Sequence, residues 1–109
     1  MNIQALAQQF KTWSDPVRLR ILACLIAREE VCVCDLIDVL QLPQSVVSRH
    51  LAYLRKHEMV ASERRGTWQY YSHTLDADQL SVLEMFFSKA DDISPIVEQL
   101  RQPTLANCC

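Results

Sequence analysis

The sequence predicts a mainly α-helical domain with one small β-hairpin. Three observations carry that class. Half of the 109 residues are hydrophobic and only one is glycine, the composition of an ordered helical chain rather than a disordered one. Apolar residues recur at three- and four-residue spacing through most of the chain. Strand-forming residues in alternation concentrate in one segment, residues 60–73. The length suits a single compact domain with a modest core.

The elements follow in order. Ile3, Leu6 and Phe10 give residues 3–12 a helical spacing. Ser14 or Asp15 offers an N-cap, and Pro16 suits the first position of a second helix running to about Arg28. Val17, Leu19, Ile21, Leu22, Leu25 and Ile26 make that helix apolar on more than one face, which predicts a central helix packed on two sides. Cys24 lies among them and reads as a core thiol. A short third helix over about 34–40 turns Leu36, Val39 and Leu40 inward. Pro43 cannot continue it but can open a fourth helix over about 44–57. There Val47, Leu51 and Leu54 share one side, and Ser45, Arg49, Tyr53 and Lys56 share the other. Residues 60–73 read as a two-stranded ribbon turning at Arg65-Gly66, since glycine supplies the positive φ of a tight hairpin. Asp76 caps a helix reaching about Ala90, and a last helical piece starts near Ser94-Pro95 and stops at Pro103. The expected organisation is one domain over residues 1–102 and a short tail over 103–109.

Net charge is −2, yet its distribution is uneven. Between Gln44 and His73 there are five basic residues and two acidic ones, together with all three histidines, while both flanks are acidic. A basic middle in an acidic chain is the footprint of a polyanion partner or, alternatively, an ordinary solvated face. No apolar run approaches a membrane span, and residues 1–12 lack the pattern of a signal peptide, so the reading is a cytoplasmic protein without a membrane partner.

A short helix, a three-residue turn, a longer helix with a polar and basic stripe and a basic-tipped ribbon together describe a winged helix-turn-helix. Such folds place the early residues of the second helix against base edges. These are Gln44, Ser45, Ser48 and Arg49 here, with His50 and Tyr53 further along the same helix. Lys56, Arg64 and Arg65 are expected at phosphates of double-stranded DNA, adding affinity with little sequence information.

Several motifs carry a resemblance. "VCVCDL" (31–36), "DPVRLRIL" (15–22), "SVVSRHLAYLRKHEMV" (45–60) and "RRGTWQYYS" (64–72) occur in an order that resembles the ArsR/SmtB family of bacterial metal-sensing repressors, and its arsenic- and antimony-responsive branch above all. The resemblance spans about residues 5–75. It implies a homodimer joined through the first and last helices, which binds operator DNA without ligand and releases it when trivalent arsenic or antimony binds. It also implies metalloid ligation by Cys32 and Cys34. The branch carries a third cysteine where this chain has Ile37, which cannot ligate, so Cys108 or Cys109 in the tail becomes the expected source of the missing thiolate. The family's other metal site, on the last helix, needs a histidine, and none follows His73. Four readings stay open for the thiols: a Cys32–Cys34 site completed by the tail, a site centred on Cys108 and Cys109, another thiophilic metal, and redox sensing. If Cys32 and Cys34 both lay in a regular helix, their side chains would point about 200° apart. Chelation would then have to unwind the start of the third helix. An enzyme is the least expected class: no nucleophile–base set is visible, and one glycine cannot build a phosphate-cradling loop.

Overall fold

The structure, a computed structural model, describes residues 1–101, so the tail with Cys108 and Cys109 lies outside the described residues. Its elements are α1 (Ile3–Trp13), α2 (Pro16–Arg28), β1 (Val31–Cys32), α3 (Val33–Leu40), α4 (Gln44–Lys56), β2 (Val60–Arg65), β3 (Trp68–His73), α5 (Ala77–Phe87) and α6 (Ile93–Arg101). This is the winged helix-turn-helix expected from the sequence.

α2 is the centre. Ile21, Leu22 and Leu25 have no exposed surface, and all five other helices pack around this one. Asp15 caps it, accepting hydrogen bonds from the backbone N–H of Val17 and Arg18, and Pro16 occupies its first turn. α3 turns Leu36 and Val39 into the core, and α4 turns Val47, Leu51 and Leu54 in, as their spacing predicts. A capping box at Asp76 and Gln79 starts α5.

Two corrections concern the sheet. The ribbon has a third strand: Val31 and Cys32 pair antiparallel with Tyr71 and Tyr70, giving the order β1-β3-β2. Two residues are too few to leave a local strand signal, and their partners lie about 40 residues away in sequence. The hairpin closes at Gly66-Thr67, because Arg65 still pairs with Trp68. Gly66 has φ +64°, the conformation that a two-residue turn requires at its first position.

With a single glycine, three helix ends use other residues in the left-handed region: Glu29, Gln41 and Glu58. At Glu58 the backbone N–H of Met59 reaches back to the Leu54 carbonyl at 2.9 Å, a Schellman closure that buries Met59 beneath α4.

The Asp15 cap yields a pH prediction. Partial burial pushes its carboxyl pKa up. The Arg18 and Val17 backbone donors, with the charges of His50 and Arg18, more than offset this and hold it below the ordinary value. A pKa depressed on folding stabilises the fold above the unfolded-state pKa, and that gain is lost as pH falls through the folded-state pKa. Asp15→Ala should therefore cost about 1 kcal/mol near neutral pH. The deficit should narrow on acidification below the ordinary carboxylate range, as read by urea denaturation at each pH.

Candidate thiol site and nucleic-acid interface

Cys32 and Cys34 straddle a junction. Cys32 is the last residue of β1 and the N-cap position of α3, with extended dihedrals (φ −68°, ψ 142°), and it is buried. Cys34 lies in the first turn of α3 and is partly exposed. The pair does not share one regular helix. Only Cys34 is helical, so the 200° argument does not apply to this pair. Ile37 packs against the core, as an aliphatic residue should. Among the described residues, no group of three His, Cys, Asp or Glu side chains is placed to hold a metal ion. Cys24 is fully buried in α2, and burial pushes its thiol pKa up to about 12, which keeps it protonated and apart from this chemistry.

Arg28 joins three elements beside the two cysteines. Its Nη1 donates to the Leu100 carbonyl at 3.1 Å and lies 3.7 Å from the carboxylate of Asp35, which is mostly buried next to Cys34. The end of α6 is thereby held against the start of α3 in the same subunit.

On α4, Gln44, Ser45, Ser48 and Arg49 are exposed in the first two turns, and Lys56 is exposed at the end. Two neighbours are placed differently from the expectation. Tyr53 turns toward α1 and α2 rather than outward: its hydroxyl accepts from Gln8 Nε2 at 3.0 Å, and the Arg18 guanidinium stacks 4.2 Å from its ring centroid. His50 lies 3.3 Å from Arg18 and 3.9 Å from Asp15, with a side chain only 11% exposed. Helical rotation names a face, but α1 crosses over part of that face. Lys56 and the early residues stay clear of it.

At the wing tip, Arg64 is exposed and donates through Nε to the Gly66 carbonyl. Arg65 is also exposed but engaged. It forms a two-pronged pair with Glu30 (2.8 and 2.7 Å), bonds Glu63 at 2.8 Å and stacks on Tyr70. The hydrogen bonds and charge from Arg65 hold the Glu63 carboxyl below its ordinary pKa. Sequence reading missed Glu30, which is 35 positions from Arg65.

Residues 15–62, from the cap of α2 through the helix-turn-helix into β2, match the family described as bacterial regulatory protein, arsR family. An HTH-type transcriptional regulator of Methanocaldococcus jannaschii is 43% identical over 65 residues, covering 60% of this chain and 73% of the relative. The chain belongs to the ArsR family. Its members are DNA-binding transcriptional regulators, so this ArsR-family protein is a regulator rather than an enzyme. It also resembles the arsenical resistance operon repressor of Bacillus subtilis, at 41% identity over 59% of this chain and 61% of the repressor, so it spans less than two thirds of that relative. Among solved structures, the transcriptional repressor PagR of Bacillus anthracis superposes with a TM-score of 0.67 at 30% identity, over 77% of this chain and 94% of PagR.

The geometry separates two kinds of α4 residue. Tyr53→Phe removes the hydroxyl that accepts from Gln8 and should cost about 1 kcal/mol of stability. Arg49→Ala alters an exposed side chain and should stay within about 0.5 kcal/mol of the parent. Urea midpoints for the two variants measure both.

Proposed function

We propose that this ArsR-family protein is a homodimeric repressor that binds operator DNA and releases it when trivalent arsenic or antimony is captured by cysteine thiolates. Cys32 and Cys34 supply two of them, and Cys108 or Cys109 supplies the third. One observation carries the reading: Cys32 and Cys34 lie at the β1–α3 junction, one just before and one in the first turn of the helix that packs against α4. The arsenical resistance repressor of Bacillus subtilis, which the chain resembles, supports the choice of inducer. The anchoring of α6 beside Asp35 supports a tail thiol from the same subunit.

The chemistry is ligand exchange. Arsenous acid and three thiols give one tris-thiolate centre and three waters, with no change in oxidation state. Three soft sulfurs are what this soft centre prefers. A monomethylated trivalent arsenical has two exchangeable bonds and would be satisfied by two thiols. Cys32 in β1 and Cys34 in the first turn of α3 would hold the centre, and its closure would draw these two elements together and bear on the packing of α3 against α4. Linkage then requires the ligand to bind the DNA complex more weakly than the free protein.

Dimerisation is supported by apolar surface on the described residues. Phe10 on α1 and Phe86 on α5 are 57% and 56% exposed, and Met85 lies beside Phe86 in sequence. Phe10 and Phe86 line one groove with Val82 and Trp13, whose buried indole Nε1 has no hydrogen-bond partner among the described residues. A second copy would cover this face. On the DNA side, Gln44, Ser45, Ser48 and Arg49 would read base edges, with Lys56 and Arg64 at phosphates. His50 and Tyr53 act behind them by holding α4 to α1 and α2.

Fluorescence anisotropy with a duplex from the protein's own promoter region tests the reading. Arg49→Ala should weaken binding by about 1–3 kcal/mol. Arsenite or antimonite should release the wild type, while Cys32→Ser, Cys34→Ser and a chain truncated after Pro103 should stay bound at the same concentrations. Wild-type response in the cysteine variants would overturn the thiol site. Release by an oxidant alone, reversed by dithiothreitol, would point to redox sensing, and a response confined to cadmium would change the metal.

A further inference from the structure

Arg65 stands at the tip of the wing, where a phosphate contact is expected, yet it is already committed. Its two terminal nitrogens form a fork on Glu30 at 2.8 and 2.7 Å, and one of them also bonds Glu63 at 2.8 Å. Its guanidinium carbon lies 4.7 Å from the Tyr70 ring centroid. One cation between two carboxylates leaves the cluster with a net negative charge. The cluster offsets the neighbouring charge of Arg64, so an approaching DNA backbone would meet a neutral tip where the sequence alone promises two cations.

The strands assemble this cluster. Glu63 pairs with Tyr70 across β2 and β3, and Cys32 pairs with Tyr70 across β1 and β3. Directly paired residues share a sheet face, and so do residues two apart on one strand. Arg65 therefore lies on the Glu63 and Tyr70 side, and Glu30 approaches it from the segment leading into β1. All four side chains are at least partly solvent-exposed, so the pairs hold Arg65 without locking it.

The geometry points to Glu30 and Glu63 as an intramolecular stand-in for DNA phosphate: Arg65 is held by these carboxylates in the free protein and exchanges them for the backbone when DNA binds. A carboxylate and a phosphate present the same two-oxygen edge to a guanidinium, so the exchange keeps the bonding pattern and changes only the partner. Glu30 thus becomes a residue that sets DNA affinity without touching DNA. It precedes Cys32 by two residues, so a shift of β1 would also move this carboxylate against Arg65. The inference rests on the DNA-binding reading and not on the identity of the inducer.

A double-mutant cycle tests it. Affinity is measured by anisotropy at low salt on a mixed-sequence duplex, because phosphate contacts need no operator. Glu30→Gln and Glu63→Gln should each tighten binding by about two- to fivefold, the scale of an exposed ion pair. In an Arg65→Ala background the same substitutions should gain nothing. A gain that persists without Arg65 would mean simple removal of negative charge near DNA and would overturn the proposal. So would the absence of any gain with Arg65 present. Failure of the wild type to bind any duplex would defeat the DNA-binding reading itself, and this proposal with it. Circular dichroism of each variant guards against unfolding.

Discussion

Ile21, Leu22, Cys24 and Leu25 have no contact with solvent, and every other helix and two of the three strands pack against the helix that carries them. Removing that apolar stripe from water is the constraint on which the domain depends. It seats α3 and α4 at the angle that leaves the early residues of α4 outward. It also brings β3 against the same core, so the wing is an extension of the packed interior rather than a free hairpin. A two-stranded ribbon would be marginal alone. Here β1 completes the sheet, and the helical core supports its inner edge.

Much of this was legible in the sequence because it is local. Asp15-Pro16 and Asp76 mark helix starts through side-chain geometry that acts within three residues. The spacing of Val47, Leu51 and Leu54 identifies the inner face of α4 without reference to anything else. The order of helices and ribbon was therefore readable, as were the buried Cys24 and the outward Arg49. What escaped notice depends on partners distant in the chain. β1 exists because Val31 and Cys32 meet Tyr71 and Tyr70. Tyr53 turns aside because Gln8 and Arg18 are there to receive it. Arg65 is engaged because Glu30, on another loop, comes within reach. Helical rotation and charge counts contain no information about such meetings.

The N-cap position of Cys32 alters the mechanics of the thiol pair. A clamp inside a helix would have to break backbone hydrogen bonds to close. A clamp across a strand–helix junction acts on a hinge where the dihedrals already change, and it has one arm in each element. The strand arm leads through Tyr70 to the wing, and the helix arm leads through α3 to α4. Both surfaces expected to meet DNA are therefore linked through elements that carry these two residues, of which Cys32 is buried and Cys34 partly exposed.

The hold of Arg28 on the Leu100 carbonyl has a consequence for reach. It places the end of α6 close to Asp35, the neighbour of Cys34 in sequence. Cys108 follows Leu100 by eight residues. A fully extended span of that length is at most about 28 Å. A tail thiol, as proposed, therefore has to meet Cys32 and Cys34 within that radius of the anchored carbonyl.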